Sequence, residues 1–261
     1  MSFGVLDGDG QVAQIEGHPF GQISFTGTRF AQADIRLLSP ILPSKVVCVG
    51  KNYAAHIEEM KALTGDAPKE PLLFLKPSTT VIGPGDAIRI PPGSTNVQHE
   101  VELAVVIGAR GARNVTPEQA AASIFGYTIG NDVTERDMQK SDGQWTRAKG
   151  FDSFCPIGPW IETDLGGLGL DPADLEVTCT VDGETRQRGR TSQLIFSVPT
   201  LISYISQIMT LLPGDVVLTG TPSGVGPIQP GQRVEVTIQG LGSLANSVAD
   251  AEGVSTAGGA R

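Results

Sequence analysis

What most limits the fold of this chain is the density of its turn formers. It carries 33 glycines and 18 prolines, about one residue in five, and the apolar stretches between them are short. Long helices have no room, so the pattern favours short strands joined by tight turns. β-rich runs recur at Lys45 to Val49, Leu72 to Leu75, Ala87 to Ile90, Val101 to Ile107, Gly126 to Ile129, Glu176 to Val181, Asp215 to Leu218 and Arg233 to Ile238. Asp182-Gly183, set between Glu176 to Val181 and Glu184 to Arg188, is the strongest hairpin signal, because both residues tolerate positive φ. Three short helices are expected. Asn52 can cap one through Leu63, Thr116-Pro117-Glu118-Gln119 has the composition of a helix start, and Leu201, Ile202, Ile205, Ile208 and Met209 recur at helical spacing. Strands do not alternate strictly with long helices, which disfavours a doubly wound parallel sheet. The expected class is α+β, mostly β, with a mixed sheet.

Residues 1–44 read as a small β-rich lead-in, closely punctuated by Gly8, Gly10, Gly17, Gly21 and Gly27. Residues 45–246 form the main domain, and the Ala, Gly, Ser and Thr composition of 247–261 reads as a mobile tail. The 19 Lys and Arg against 28 Asp and Glu leave a net charge of −9, with no basic block anywhere. Nucleic acid and anionic membrane need a basic footprint, so a small ligand or a cation is the expected partner. The first ten residues lack the charged and apolar regions of a signal peptide, and no run approaches the ~18 apolar residues of a membrane span. The expected location is cytoplasmic. Cys48, Cys155 and Cys179 are odd in number, far apart and without CxxC spacing. They suit neither a disulfide framework nor a zinc site and read as small buried hydrophobes.

Chemistry-bearing residues cluster in a few places. In Gln98-His99-Glu100-Val101-Glu102-Leu103-Ala104-Val105-Val106, period-two geometry puts Glu100 and Glu102 on one strand face, with Val101, Leu103 and Val105 on the other. Such a pair also fits a solvated face. Here, however, Ala104 and Val106 continue the glutamate face, so two like charges on a partly apolar surface call for a cation. Asp132, where a buried strand would end, supplies a third carboxylate, and its alternative role is a helix cap or turn. Three carboxylates without a Cys or His cluster suit a hard divalent ion such as Mg²⁺ or Mn²⁺. In the segment Gly50 to Met60, Tyr53, Ile57 and Met60 form an apolar stripe, while His56 and Glu59 share a neighbouring face at i,i+3. A carboxylate beside an imidazole raises its basicity, as a general base requires, although a surface histidine has the same spacing. Lys149 reads as a surface lysine taken alone. The segment Leu218 to Gly226 reads as a turn that is no phosphate loop but can offer amides and the Thr221 hydroxyl to a carboxylate.

Six motifs occur together in one order. They are Val-Gly-x-Asn-Tyr-x-x-His at 49–56, Phe-Leu-Lys-Pro at 74–77, His-Glu-Val-Glu-Leu-Ala at 99–104, Asn-Asp-Val-Thr-Glu-Arg-Asp at 131–137, Ala-Lys-Gly-Phe-Asp at 148–152 and Thr-Gly-Thr-Pro-Ser-Gly-Val-Gly at 219–226. In wording and order, over about residues 45 to 240, the chain resembles the fumarylacetoacetate hydrolase family. The resemblance implies a mixed β-sheet roll of that family's C-terminal domain type, usually in a homodimer. It implies Mg²⁺ or Mn²⁺ on Glu100, Glu102 and Asp132, and His56 with Glu59 as a water-activating dyad. It further implies Tyr53 and Thr221 in substrate binding, with Lys149, Arg136 and Gln139 facing the reacting carbonyl or a bound water. Lys51 and the Thr134-Glu135 pair depart from the common pattern and bear on substrate choice rather than on the triad.

The implied chemistry joins several reactions. A 2-oxo acid chelates a metal through its carboxylate and keto oxygens, and the ion stabilises the enolate left when a proton or a carbon group departs. The expected activity is therefore that of a metal-dependent enzyme on small dicarboxylic 2-oxo acids. It would be either an isomerase/decarboxylase of aromatic catabolism, like 2-hydroxyhepta-2,4-diene-1,7-dioate isomerase, or a C–C bond hydrolase of acylpyruvates, with oxaloacetate decarboxylase as the alternative. A non-catalytic ligand-binding protein on the same fold is a further alternative, against which the clustered charges weigh.

Overall fold

In the computed structural model, which describes residues 1–64 and 66–251, every β-rich run forms a strand, and pairing assembles the strands into sheets. The largest sheet has the order Leu72–Lys76, Val46–Gly50, Val216–Leu218, Val101–Ile107, Ile124–Asn131, Cys155–Glu162, Val81–Ile82. It is mixed: Val216–Leu218 runs parallel to Val46–Gly50 and antiparallel to Val101–Ile107. A second sheet has the order Glu184–Arg190, Glu176–Val181, Arg233–Ile238, Gly242–Asp250, Ala87–Ile90. Its first two strands are joined by the expected hairpin, with Val181 opposite Glu184 and φ of 51° at Asp182 and 82° at Gly183. A small sheet of Thr134–Glu135, Val97–His99 and Gly226–Pro227 lies beside the carboxylates. Gly4–Leu6, Gln11–Ile15 and Phe25–Ala31 form a sheet of their own. The fold is α+β and mostly β.

The strand Val101–Ile107 is buried on both faces. Leu103, Val105 and Ile107 join Val177, Val236 and Ile205 in one apolar cluster, whereas Ala104 and Val106 join Val46, Cys48, Ile157 and Leu218 in another. Each large side chain so buried contributes about 1.5–3 kcal/mol, and a one-residue slip would exchange the two faces. Register is thereby fixed, and with it the direction in which Glu102 points. All three cysteines are buried and free, as small apolar groups.

The helices are few. Val198–Ile208 buries Leu201, Ile202 and Ile205 and leaves Ile208 exposed. Gln119 accepts from the Thr116 amide at 3.0 Å, but the helix it starts covers only Pro117–Ala120. Among the described residues no helix is long and apolar enough to cross a membrane.

Two expectations need correction. Asn52 does not cap the helix Ala54–Thr64; its amide accepts from Phe196 N at 2.7 Å and donates to Thr219 O at 2.8 Å, tying three segments together. The tail cannot begin at Ser247, because Gly242–Asp250 is a strand in which Ser247 pairs with Arg233 on one side and Ala87 on the other. Ladder pairing, not composition, decides its structure, and residues 252–261 lie outside the described residues. The helices Arg136–Asp142 and Thr146–Lys149 lack an amphipathic period; Glu135 caps the first by accepting from Met138 N at 2.6 Å.

Candidate active site

The carboxylates meet because two strands end together. Gly130 pairs opposite Glu102 and Asn131 opposite Val101, so the chain leaving Asn131 carries Asp132 alongside Glu100. Asp132 N donates to Glu100 O at 2.9 Å, and Glu100 N donates to Asn131 Oδ1 at 2.9 Å, which locks the junction. Glu100, Glu102 and Asp132 are buried, and each offers an oxygen within 4.8 Å of those of the other two.

Three cations surround this cluster unevenly. Lys149 Nζ donates to Asp132 Oδ2 at 2.6 Å, Thr134 Oγ1 at 2.8 Å and Glu100 Oε2 at 3.0 Å. Lys76, fully buried, donates to Asp132 Oδ1 at 2.6 Å and Val133 O at 3.0 Å. Arg136 donates to Glu100 Oε1 at 2.5 Å, Gln139 Oε1 at 2.6 Å and Gln98 Oε1 at 2.9 Å. Glu102 instead receives a backbone amide, Gly220 N at 2.7 Å.

Proton affinities follow this asymmetry. Burial pushes the Glu102 carboxyl well above its ordinary range, and the charges of Asp132 and Glu100 push it further. Burial acts the same way on Glu100, but Lys149 and Arg136 outweigh it and hold that carboxyl below the usual range. Burial disfavours the Lys149 charge, yet Asp132 and Glu100 more than compensate and raise its value. A divalent cation fits the cluster on two counts: the donors are all hard oxygens, and Glu102 has neighbours of its own sign where the other two carboxylates have ammonium or guanidinium groups.

The same cavity holds His56, Arg136, Gln139, Lys149 and Thr221, with Val49, Ile57, Met60, Phe74 and Trp145 as its apolar wall. Glu59 stands behind His56, its Oε2 3.1 Å from Nδ1, while its Oε1 accepts from Gly224 N at 2.9 Å. Burial opposes ionisation of Glu59, but these hydrogen bonds prevail and lower its value. The pair therefore joins the helix Ala54–Thr64 to the glycine-rich loop.

Tyr53 and Lys149 flank the carboxylates differently. Tyr53 is buried and is not among the lining residues; its backbone bridges to Leu194, and burial together with the Glu102 charge pushes its hydroxyl up. Lys149 lines the cavity, and its three donors go to Glu100, Asp132 and Thr134, which makes it a counter-charge to the carboxylates. Three further residues were missed. Lys76 ends an apolar strand run, which was a usable signal for a buried cation. Trp145 packs edge-on against Phe74 at 5.3 Å, and Lys149 Nζ lies 4.8 Å from the Phe74 ring centroid. Gln187 is fully buried between the exposed Arg186 and Arg188, and nothing in its local sequence marks it.

Residues 45–249 match the model of the fumarylacetoacetate (FAA) hydrolase C-terminal domain, and residues 1–40 match an Rv2993c-like N-terminal model. The solved 5-carboxymethyl-2-hydroxymuconate delta-isomerase of Mycobacterium smegmatis is 50% identical with a TM-score of 0.87, covering 96% of this chain and 95% of its own. The mitochondrial oxaloacetate tautomerase FAHD1 of Arabidopsis thaliana is 48% identical over 206 residues, 77% of this chain and 89% of the relative. The fumarylpyruvate hydrolase of Pseudomonas aeruginosa, solved with Mn²⁺ and pyruvate, is 38% identical with a TM-score of 0.73, covering 81% and 91% of the two chains.

Proposed function

The chain belongs to the fumarylacetoacetate hydrolase family, and from that premise we propose that it is a Mg²⁺- or Mn²⁺-dependent enzyme that moves a proton on a small dicarboxylic 2-oxo acid, as an isomerase or tautomerase. The observation that carries this reading is the buried triad, in which Glu102 has, among the described residues, no ion pair such as Glu100 and Asp132 have. Charge balance supports the substrate class. Lys76, Lys149 and Arg136 offset the three carboxylates, so an added divalent ion leaves an excess that a dicarboxylate dianion neutralises.

Held by Glu100, Glu102 and Asp132, the ion would supply Lewis-acid polarisation of keto and carboxylate oxygens. The protein's own groups do the rest. Glu59 holds His56 Nδ1, which leaves Nε2 to exchange a proton with the substrate carbon. Thr221 offers its hydroxyl to a carboxylate, and Phe74 with Trp145 excludes water from one wall. Lys149 and Arg136 keep Glu100 ionised.

A second reading, C–C hydrolysis of an acylpyruvate, is favoured by the ionised Glu59 beside His56, because the same base can take its proton from water. Turnover of oxaloacetate, hydroxyheptadienedioate, acylpyruvates and fumarylpyruvate with each metal tests both. The expected result is fastest tautomerisation or isomerisation, lost in EDTA. Faster hydrolysis would select the second reading, CO₂ release from oxaloacetate as the main reaction would select decarboxylation, and full activity after exhaustive EDTA treatment would overturn all three.

A further inference from the structure

Gln187, on the strand Glu184–Arg190, has no solvent exposure and uses its whole side-chain amide. Oε1 lies 2.9 Å from His99 Nδ1 and accepts from Val101 N at 3.1 Å; Nε2 donates to Pro222 O at 2.7 Å and Thr221 Oγ1 at 2.8 Å. The orientation of this amide is forced by two backbone groups. Val101 N–H can only donate and the Pro222 carbonyl can only accept, so oxygen must face the first and nitrogen the second. Flipping the amide would break both bonds.

A consequence follows for Thr221. Its oxygen is the acceptor in the bond from Gln187, so its single proton must point elsewhere, and Thr221 lines the cavity. We propose that Gln187 is a positioning residue that turns the Thr221 hydroxyl into an obligate donor toward an anionic oxygen of the bound ligand. The inference rests on the reading of this cavity as a carboxylate-binding site. The backbone is built for the contact. A Cβ at Gly189 would come within 2.7 Å of Pro222 Cβ, and one at Gly224 within 2.1 Å of Arg186 O, so glycine at both positions lets the strand and the loop approach. The same amide holds Val101 N, in the peptide that joins Glu100 to Val101, so one side chain ties the Thr221 hydroxyl to the carboxylate strand.

The test is a cycle of Gln187→Met, Thr221→Val and the double variant, reading oxalate binding by calorimetry with Mn²⁺ saturating, and Mn²⁺ binding alone. Losing a hydrogen bond to a charged oxygen should weaken oxalate binding about tenfold or more in each single variant. The double variant should be no weaker than Thr221→Val, and Mn²⁺ affinity should fall far less than oxalate affinity. Additive losses, unchanged oxalate affinity in Gln187→Met, or a parallel fall in Mn²⁺ affinity would overturn the inference alone. Wild type failing to bind oxalate with Mn²⁺ would overturn the site reading and the inference with it. Should Gln187→Met fail to fold, a neutron structure of the wild type decides: a Thr221 deuteron directed into the cavity supports the proposal, and one directed at Gln187 refutes it.

Discussion

Glu102→Gln should make the metal-free protein more stable and the metal-loaded protein less so. The ligand oxygens of the triad lie within 4.8 Å of one another. At that separation and an effective dielectric of about 20, two unit charges repel by roughly 3.5 kcal/mol. Glu102 has two such neighbours and a weaker compensating attraction to Lys149, while glutamine retains an oxygen to accept from Gly220 N. Because the folded protein raises the carboxyl's value, it binds a proton that the unfolded chain releases. Stability is therefore full below the ordinary glutamate range and declines as pH rises toward the folded value, by at most about 1.4 kcal/mol per pH unit. The substitution removes this decline, so its benefit is small near pH 5 and about 2 kcal/mol by pH 8, or roughly 4–8 °C in Tm. Divalent ion reverses the order. At a free concentration of about 100 Kd it adds roughly 2.7 kcal/mol to the wild type, most of which the variant forfeits. Thermal scans in EDTA and in Mn²⁺, at both pH values, measure all four states. A variant less stable than wild type in EDTA at pH 8, or an equal rise with Mn²⁺ in both, would refute the reasoning.

Lys76→Met strips Asp132 of one of its two ammonium partners in a buried setting and should cost about 3–5 kcal/mol in urea unfolding of the metal-free protein; a loss under about 1 kcal/mol would mean that Lys149 alone suffices. His56→Ala should lower kcat for tautomerisation about 10²-fold, with Glu59→Gln smaller in the same direction, and unchanged rates would reduce the pair to a structural link between helix and loop. A homodimer is expected in solution, with the outer strand Leu72–Lys76, whose Leu72 and Leu75 are exposed, among the candidate contact surfaces; sedimentation at the 27.3 kDa chain mass would contradict it.

How far the sequence can be read depends on the range of the interaction that decides each feature. Glu100 and Glu102 were legible because period-two alternation is local, and the two apolar clusters around Val101–Ile107 enforce it. Asp132 was legible as the residue after a strand, and the strand ends at Asn131. His56 and Glu59 were legible at i,i+3, and their atoms meet at 3.1 Å. Asn52 was misread for the converse reason: its sequence suits a cap, but its partners at Phe196 and Thr219 lie 144 and 167 positions away. The strand Gly242–Asp250 was hidden because Ala and Ser say little about β structure until neighbours on both sides are in place. Lys76, Lys149 and Gln187 carry the remaining lesson. Each is a polar group that can be buried only where its partners are already arranged, and those partners come from other strands and loops. Composition could therefore show that carboxylates and cations were both present, while the pairing that gives Glu102, among the described residues, a backbone amide in place of an ammonium or guanidinium partner exists only once the chain has folded.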